Sequence, residues 1–227
     1  MRIGILTYNC AHLKTEQLVF RYIQDDKVSE INLYALPFNP RVKRAVVIQH
    51  RPDMLRSVPT KSLAELSKVK FQEWDGNEDI SDFNDIFIIG GAGIIDIAFA
   101  NGKSVVNAHP GIIPLTRGLD SFKWAIYNND PIGNTLHLID NEIDKGEILQ
   151  IKYTPVFTSD SLETLARRHY EMEIDMLANV LEVIDSRVIP SNIEKPVTKR
   201  MRAETEAEMV GKFDDWKESM TNLKANQ

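Results

Sequence analysis

The chain has 227 residues, which is enough for one large domain or two small ones. Hydrophobic residues make up 43% and charged residues 26%, as in soluble globular proteins, so disorder of the whole chain is excluded. With 27 Lys and Arg against 33 Asp and Glu, the formal charge is −6, which argues against a nucleic-acid partner.

Cysteine content and apolar run lengths limit the chemistry and the compartment. The single cysteine, Cys10, cannot form an internal disulfide and excludes zinc sites built on paired cysteines. The apolar run over residues 2–7 is too short for a signal peptide, and no stretch approaches the roughly 20 apolar residues of a membrane helix. We therefore expect a cytoplasmic protein with no membrane partner.

The first half of the chain alternates short apolar runs with segments of helical periodicity. Strands are predicted over residues 2–7, 31–36 and 85–89, and a further apolar run occupies residues 45–48. Helices are predicted after Leu13 and over residues 61–69. The glycine-rich run Gly90-Gly91-Ala92-Gly93 follows the third strand directly.

The second half continues the alternation. Strands are predicted over residues 104–106, 134–139 and 146–155, and helices over residues 121–127, over 161–184 and from Glu204 onward. Asp160 is the expected cap of the helix at 161–184, with Glu163 at the capping-box position. The last helix carries an apolar stripe of Met209, Phe213, Trp216, Met220 and Leu223. We expect this stripe to pack on its own domain, with a homodimer interface as the alternative.

This order of elements predicts an α/β fold with an open, mostly parallel sheet, in which ligands bind beyond the carboxyl ends of the strands. Gly90 to Gly93 would let a flat ligand approach the backbone, although glycines after a strand are equally typical of a turn. The spacing differs from the dinucleotide-binding fingerprint.

Two further strand ends carry polar groups. Asn107 and His109 are two residues apart, so their side chains would lie on the same side of an extended chain and converge on one oxygen. A structural role is the ordinary alternative for the histidine. The acidic loop from Asp140 to Asp144 is typical of a solvated turn and lacks the spacing of a calcium-binding loop.

The polar motifs between Asp85 and Gln150 occur in a specific order. They are Asn107-x-His109-Pro110, Ile113-Pro114, Arg117-Gly118, Gly133-x-Thr135-x-His137 and Asp144-x-Gly146. In this order they resemble the core of the folate-dependent formyltransferases, which include glycinamide ribonucleotide, methionyl-tRNA and sugar N-formyltransferases. The resemblance implies a Rossmann-like open, mixed, mostly parallel sheet flanked by helices. It also implies a catalytic domain over residues 1–188 and a C-terminal extension with an amphipathic helix over residues 189–227.

The resemblance also assigns roles to residues. It makes Asn107, His109 and Asp144 the catalytic set, 10-formyltetrahydrofolate the formyl donor and tetrahydrofolate the product, with no metal. The residues expected against the folate are Gly91, Ala92, Gly93, Ile94, Ile95, Ile139, Asp140 and Glu142. Thr135 and His137 would support the Asp144 loop, although a purely structural role is the main alternative for His137.

The expected chemistry explains these residue types. An amine attacks the formyl carbon, and a tetrahedral intermediate with a negative oxygen forms. Preorganised donors at such an oxygen are worth about 3–4 kcal/mol each, and Asn107 and a protonated His109 would supply them. Asp144 would favour the imidazolium of His109 and help to take the proton that leaves the amine.

The acceptor amine is expected to belong to a nucleotide-linked amino sugar. The turn from Tyr8 to His12 has no glycine, unlike a phosphate loop for a ribose phosphate, and the 43 residues after Ile184 are too few for a tRNA-binding domain. The remaining resemblance is to enzymes that formylate dTDP-linked, or less often GDP-linked, 4-amino-4,6-dideoxy sugars such as dTDP-4-amino-4,6-dideoxyglucose. These enzymes serve bacterial surface polysaccharide, including lipopolysaccharide O-antigen.

A diphosphate needs cationic or polar partners concentrated locally in an acidic chain. The candidates are Asn9, Lys14, His50, Arg51, Arg117 and Gly118. An ordinary surface charge is the alternative for each cation. A phosphoribosylglycinamide or methionyl-tRNA formyltransferase-like enzyme and a non-catalytic folate-binding module stay open as other functions.

Overall fold

The computed structural model describes residues 1–40, 45–93, 95–140 and 146–225. The strands are β1 (Arg2–Tyr8), β2 (Glu30–Leu36), β3 (Val69–Glu73), β4 (Ile86–Ile89), β5 (Val105–His109), β6 (Gly133–Leu138) and β7 (Ile148–Tyr153). The α-helices are α1 (Leu13–Ile23), α2 (Ser121–Tyr127), α3 (Leu162–Ala178) and α4 (Ala203–Ala225).

The strands form one seven-stranded sheet in the order β3-β2-β1-β4-β5-β6-β7. The pairs from β3 to β5 are parallel, whereas β6 is antiparallel to both β5 and β7. The central strands β1 and β4 are almost continuously apolar because both faces of the sheet are covered. The predicted mixed, mostly parallel α/β sheet with a C-terminal helix is therefore confirmed.

Alternate residues of the central strands enter different apolar clusters. Ile3 and Ile5 of β1 pack with Leu18 of α1 and Leu177 of α3, whereas Leu6 packs with a cluster rich in aromatic rings. The members of that second cluster include Tyr34, Trp74, Phe87 and Phe99. Asn107, His109, Thr135 and His137 alternate with residues of the first cluster, which places them on the opposite face.

The C-terminal helix α4 packs on its own chain. Met209, Phe213, Trp216 and Met220 of its apolar stripe are buried against α2 and neighbouring residues, which include Phe122, Ile126 and Ile132; the Leu223 side chain lies outside the described part of the structure. The indole Nε1 of Trp216 also donates to the carbonyl of Asp130 over 2.9 Å. The intramolecular expectation is confirmed, and the stripe is not available as a homodimer interface; the homodimer itself stays a prediction.

Two local predictions were wrong, and one apolar run forms no regular element. Residues 61–69 do not form an α-helix, because a short 3₁₀ helix at Thr60–Glu65 ends before Lys68 takes a left-handed conformation and β3 begins. The apolar run at residues 45–48 is not a regular element, and Val46 and Val47 are exposed.

The third difference concerns helix α3. Ser161, not Asp160, caps α3, since its side chain accepts from the backbone of Thr164 and the Thr164 hydroxyl accepts in return. Asp160 instead forms a two-point ion pair with Arg168. The helix ends at Ala178 and a 3₁₀ turn follows. Among the described residues no helix is long and apolar enough to cross a membrane.

Candidate active site

A cleft of about 1220 Å³ opens over the face of β5 and β6 that carries Asn107 and His137. Typical ligand pockets measure about 300–1,000 Å³, so this cleft has room for two ligands side by side. The residues that form its walls are 46, 48–54, 92, 93, 95, 96, 118–123 and 197–200. His109, Ile139 and Asp140 also line it.

The antiparallel register brings the polar residues of β5 and β6 together. Asn107 pairs with His137 and His109 pairs with Thr135, so all four side chains lie on one face. Nδ2 of Asn107 lies 3.4 Å from Nε2 of His137. Because Nδ1 of His137 lies 3.0 Å from the Leu138 carbonyl, which can only accept, Nε2 is the nitrogen that accepts from the amide.

The ring of His109 is buried, and its Nε2 atom lies close to two neighbouring polar groups. Its Nε2 lies 3.0 Å from the carbonyl oxygen of Thr116, to which it donates, and 3.2 Å from Oγ of Ser121. A side chain at Gly111 would put a Cβ atom 2.7 Å from this nitrogen. The glycine two residues after His109 therefore leaves the space that the imidazole occupies.

Thr135 holds the loop that follows His109. Its hydroxyl accepts from the amide of Ile113 over 3.0 Å and donates to the carbonyl of Gly111 over 2.7 Å. These bonds fix the loop that follows His109, because Thr135 lies opposite His109 in the register. The loop that Thr135 was expected to support, at Asp144, lies outside the described residues, and that role stays a prediction.

One end of the cleft is lined by residues predicted to contact folate, namely Ala92, Gly93, Ile95, Ile139 and Asp140. A Cβ atom at Gly93 would meet nothing within 4 Å, so the backbone there is open to a ligand. At Gly91 a Cβ atom would lie 2.7 Å from the His12 ring, so this glycine leaves space for that ring, and its contact with folate stays a prediction. Ile94, Glu142 and Asp144 lie outside the described residues.

His50 lies in the cleft but does not have the predicted cationic character. Its ring stacks on Phe122 at a centroid distance of 5.9 Å. Burial and the nearby charges of Lys123 and Arg51 lower the pKa of His50 to about 3. The imidazole is therefore neutral near neutral pH and cannot act as a cation for phosphate.

Arg117 and Asn9 are also used elsewhere. The guanidinium of Arg117 is buried and bonds to Glu194 over 2.5 Å, so it ties the C-terminal segment to the loop before α2. The Asn9 side chain accepts from the amide of Phe38 over 3.0 Å, at the end of β2. Neither residue lines the cleft, whereas Gly118 does, in a left-handed conformation with φ of 91°.

Arg51 lines the cleft above a buried ion cluster. Its guanidinium contacts both carboxylate oxygens of Glu173 at 2.9 and 3.0 Å, and Lys14 contacts the same carboxylate at 2.8 Å. Burial alone would raise the pKa of Glu173, but the two cations outweigh it and lower the pKa to about 2. Glu173 is thus ionised, and two cations share one carboxylate.

The C-terminal segment supplies a wall that the sequence-based site lacked. Val197, Thr198, Lys199 and Arg200 all line the cleft. The segment is fixed by Trp124, whose indole donates to the Lys199 carbonyl over 2.7 Å, and by several bonds to Arg117.

The segment that matches a known family covers Asn107, His109, Thr135 and His137. Residues 94–181 match a family model described as formyl transferase. Over 79 residues, 34% of the chain, it is 32% identical to a phosphoribosylglycinamide formyltransferase of Haemophilus influenzae and covers 37% of that protein. The chain spans between 8% and 37% of the length of the first curated relatives that it matches.

Solved formyltransferases share the fold. A 4-N formyltransferase from Francisella tularensis superposes with a TM-score of 0.61 at 18% identity, over 92% of this chain and 86% of that one. A formyltransferase from Anoxybacillus kamchatkensis, solved with UDP-4,6-dideoxy-4-formamido-L-AltNAc and tetrahydrofolate, gives 0.55 at 17% identity, over 94% and 97%. The chain therefore has the fold of the formyltransferases, and its residues 94–181 match the formyl transferase family in sequence.

Proposed function

We propose that the protein transfers the formyl group of 10-formyltetrahydrofolate to the amino group of a nucleotide-linked amino sugar. The observation that carries the proposal is the convergence of Asn107, His109 and His137 on one face of the cleft, within the matched segment. The cleft is large enough for a donor and an acceptor together.

The donor fits the end of the cleft lined by Ala92, Gly93, Ile95 and Ile139. Apolar side chains and an open glycine backbone suit a flat ring, and the Asp140 carboxylate beside them can accept hydrogen bonds from it. When bound, 10-formyltetrahydrofolate supplies the formyl group. The resemblance adds Ile94 and Glu142 to the residues proposed to contact the donor.

The residues of this chain then stabilise charge and direct the amine. Nδ2 of Asn107 has two hydrogens, of which one is directed to His137 and the other can donate to the formyl oxygen as negative charge develops. The buried, fixed ring of His109 stands beside it as the second polar group. From the resemblance, Asp144 takes the proton that the attacking amine loses.

The acceptor is proposed to be a dTDP- or GDP-linked 4-amino-4,6-dideoxyhexose that serves lipopolysaccharide O-antigen biosynthesis. The protein is proposed to act in the cytoplasm. The presence of a formamido sugar nucleotide in the Anoxybacillus structure supports this class. Phosphoribosylglycinamide is the second candidate, because a curated relative bears that name. Against it, the turn after β1 has no glycine, and its Asn9 is engaged by Phe38.

The test is tetrahydrofolate release with a panel of amines. The panel contains dTDP-, GDP- and UDP-linked 4-amino sugars, phosphoribosylglycinamide and methionyl-tRNA. Asn107→Ala, His109→Ala and Asp144→Asn should each abolish transfer, whereas the exposed Asn77→Ala is a matched control that should keep it. Circular dichroism confirms the fold of each variant.

Two outcomes contradict the proposal. Undiminished transfer by the Asn107 or His109 variant would remove the catalytic assignment. Tight folate binding without turnover on any amine would instead identify a non-catalytic folate-binding module.

A further inference from the structure

The end of the cleft around His50 concentrates positive charge in an acidic chain. Arg51, Lys123 and Arg200 all line it together with His50. Their charges all act on the His50 ring, which places the three cations around one side chain. The whole chain, by contrast, carries a formal charge of −6.

The carboxylates at this end do not balance the cations. Glu206 pairs with Lys123, and Glu173 is shared by Arg51 and Lys14. Asp120 lies 4.0 Å from His50 and accepts from the amide of Met201. Asp53, which also lines the cleft, is neutralised by Arg56.

Arg200 and Lys199 are the lining cations for which the described part of the chain provides no ion-pair partner. Within the described ranges the Arg200 guanidinium forms no ion pair, whereas Lys14, Arg51 and Lys123 share two carboxylates among them. Among the described residues of this cluster, the four cations Lys14, Arg51, Lys123 and Arg200 face the three carboxylates of Glu173, Glu206 and Asp120. The Arg200 side chain is exposed, so its guanidinium can reach an anion that enters the cleft.

The backbone on either side of Arg200 is anchored. The carbonyl of Lys199 accepts from Trp124 over 2.7 Å, and the amide of Met201 donates to Asp120 over 3.0 Å. Thr198 is held by two bonds to the carbonyl of Arg117. Arg200 is therefore presented to the cleft from a fixed segment, which lowers the cost of ordering it around a ligand.

We infer that this end of the cleft binds the anionic part of the substrate, a phosphate or diphosphate, through the guanidinium groups of Arg51 and Arg200. The planar fork of arginine donors matches phosphate oxygens and gives charge-assisted bonds. The anion site itself follows from charge and geometry, whereas its identification with a nucleotide diphosphate rests on the proposed function. In this proposal Arg200 takes the phosphate-binding role that the sequence suggested for His50 and Arg117.

Isothermal titration of the full chain with dTDP, pyrophosphate and ribose 5-phosphate tests this site without requiring turnover. Arg200→Gln should weaken binding of the preferred anion about tenfold, the loss of one charge-assisted bond. Arg202→Gln changes an exposed arginine two residues away that does not line the cleft, and its affinity should stay within about twofold. Arg51→Lys keeps the charge beside Glu173 and should also weaken binding, because one ammonium cannot reproduce the fork.

The outcomes separate the two proposals. Wild-type affinity in Arg200→Gln, an equal loss in Arg202→Gln, or no binding of any of the three anions would overturn the anion site. Tightest binding of dTDP supports a nucleotide, and tightest binding of ribose 5-phosphate keeps the site but assigns it to a phosphoribosyl acceptor. If the anion site behaves as expected while no amine is formylated, the proposed function fails and the site stands.

Discussion

Asn107 and His137 face each other across the antiparallel β5–β6 pair, with Nδ2 of the amide 3.4 Å from Nε2 of the imidazole. The imidazole is fixed in turn by its Nδ1 bond to the Leu138 carbonyl. Since an amide is planar, holding one of its N–H groups sets the direction of the other. His137 is thus a positioning residue for Asn107, and backbone pairing rather than a loop determines their separation.

Replacing His137 should lower kcat with little change in KM. Without its imidazole the amide of Asn107 rotates away from the formyl oxygen, and a misplaced donor costs about 10- to 100-fold in rate. His137→Gln, whose side-chain carbonyl can accept from the amide, should recover part of the loss that His137→Ala shows. Steady-state kinetics on folded variants measure this, and a wild-type kcat in His137→Ala would contradict it.

Gly111→Ala should abolish the proposed formyl transfer at a moderate cost in stability. The new Cβ atom would lie 2.6 Å from the Thr116 carbonyl and 2.7 Å from Nε2 of His109, so the ring must move. Overpacking of this kind costs about 1–3 kcal/mol. The matched control is Gly211→Ala in α4, where nothing lies within 4 Å and helix propensity should add about 1 kcal/mol.

Formyl transfer and chemical denaturation of both glycine variants provide the readout. Activity should fall only in Gly111→Ala, and the free energy of unfolding should rise only in Gly211→Ala. Full activity in Gly111→Ala would show that the His109 ring tolerates displacement.

Stability should decrease as the pH falls below about 6.5. Burial lowers the pKa of His169 from 6.5 to about 4, so the unfolded chain binds a proton that the folded chain excludes. The stabilisation is complete above pH 6.5 and is lost as the pH falls toward 4, which amounts to about 3 kcal/mol. Burial likewise lowers the pKa of His12 to about 4 and adds to the same window.

Denaturation of the wild type between pH 7.5 and pH 5 measures the slope. His169→Gln removes one titrating group, so its stability should depend less steeply on pH. Equal slopes for both proteins would show that folding does not lower the pKa of His169.

Trp216→Ala should cost about 3–5 kcal/mol, because the indole is 2% exposed and fills the contact between α4 and α2. Its Nε1 bond to the Asp130 carbonyl is lost as well. The exposed Glu218→Ala on the same helix is the control and should stay within about 0.5 kcal/mol. An equal cost in both variants would contradict the packing of α4 on its own chain.

Apolar periodicity predicted the central strands and helices because apolar residues occupy the core-facing positions of each element throughout. The segment over residues 61–69 was predicted to be an α-helix because Leu63 and Leu66 have helical spacing, but Lys68 adopts a left-handed backbone conformation. Strand β3 was missed because it is an edge strand in which only Val69 is buried. In both cases pairing with the neighbouring strand of the sheet, rather than the local apolar pattern, determines the structure.

For the site, the sequence indicated Asn107 and His109 because two-residue spacing on a strand places side chains together. Their partnership with β6 depends on register, which no local pattern encodes. Arg117 was misassigned because its partner Glu194 is 77 residues away. Arg200 lacked a role because its position depends on Trp124 and Asp120, which are remote in the chain.

The wall of the cleft that carries Arg200 belongs to a strap over residues 194–200, outside the segment matched to the formyl transferase family. The strap is fastened by two ion pairs, Lys195 with Asp130 and Arg117 with Glu194. Asn107, His109 and His137 lie in paired strands that the strap does not build. Under the proposed function, exchanging residues 197–200, which follow both ion pairs, is expected to change the acceptor that is recognised and to leave Asn107, His109 and His137 in place.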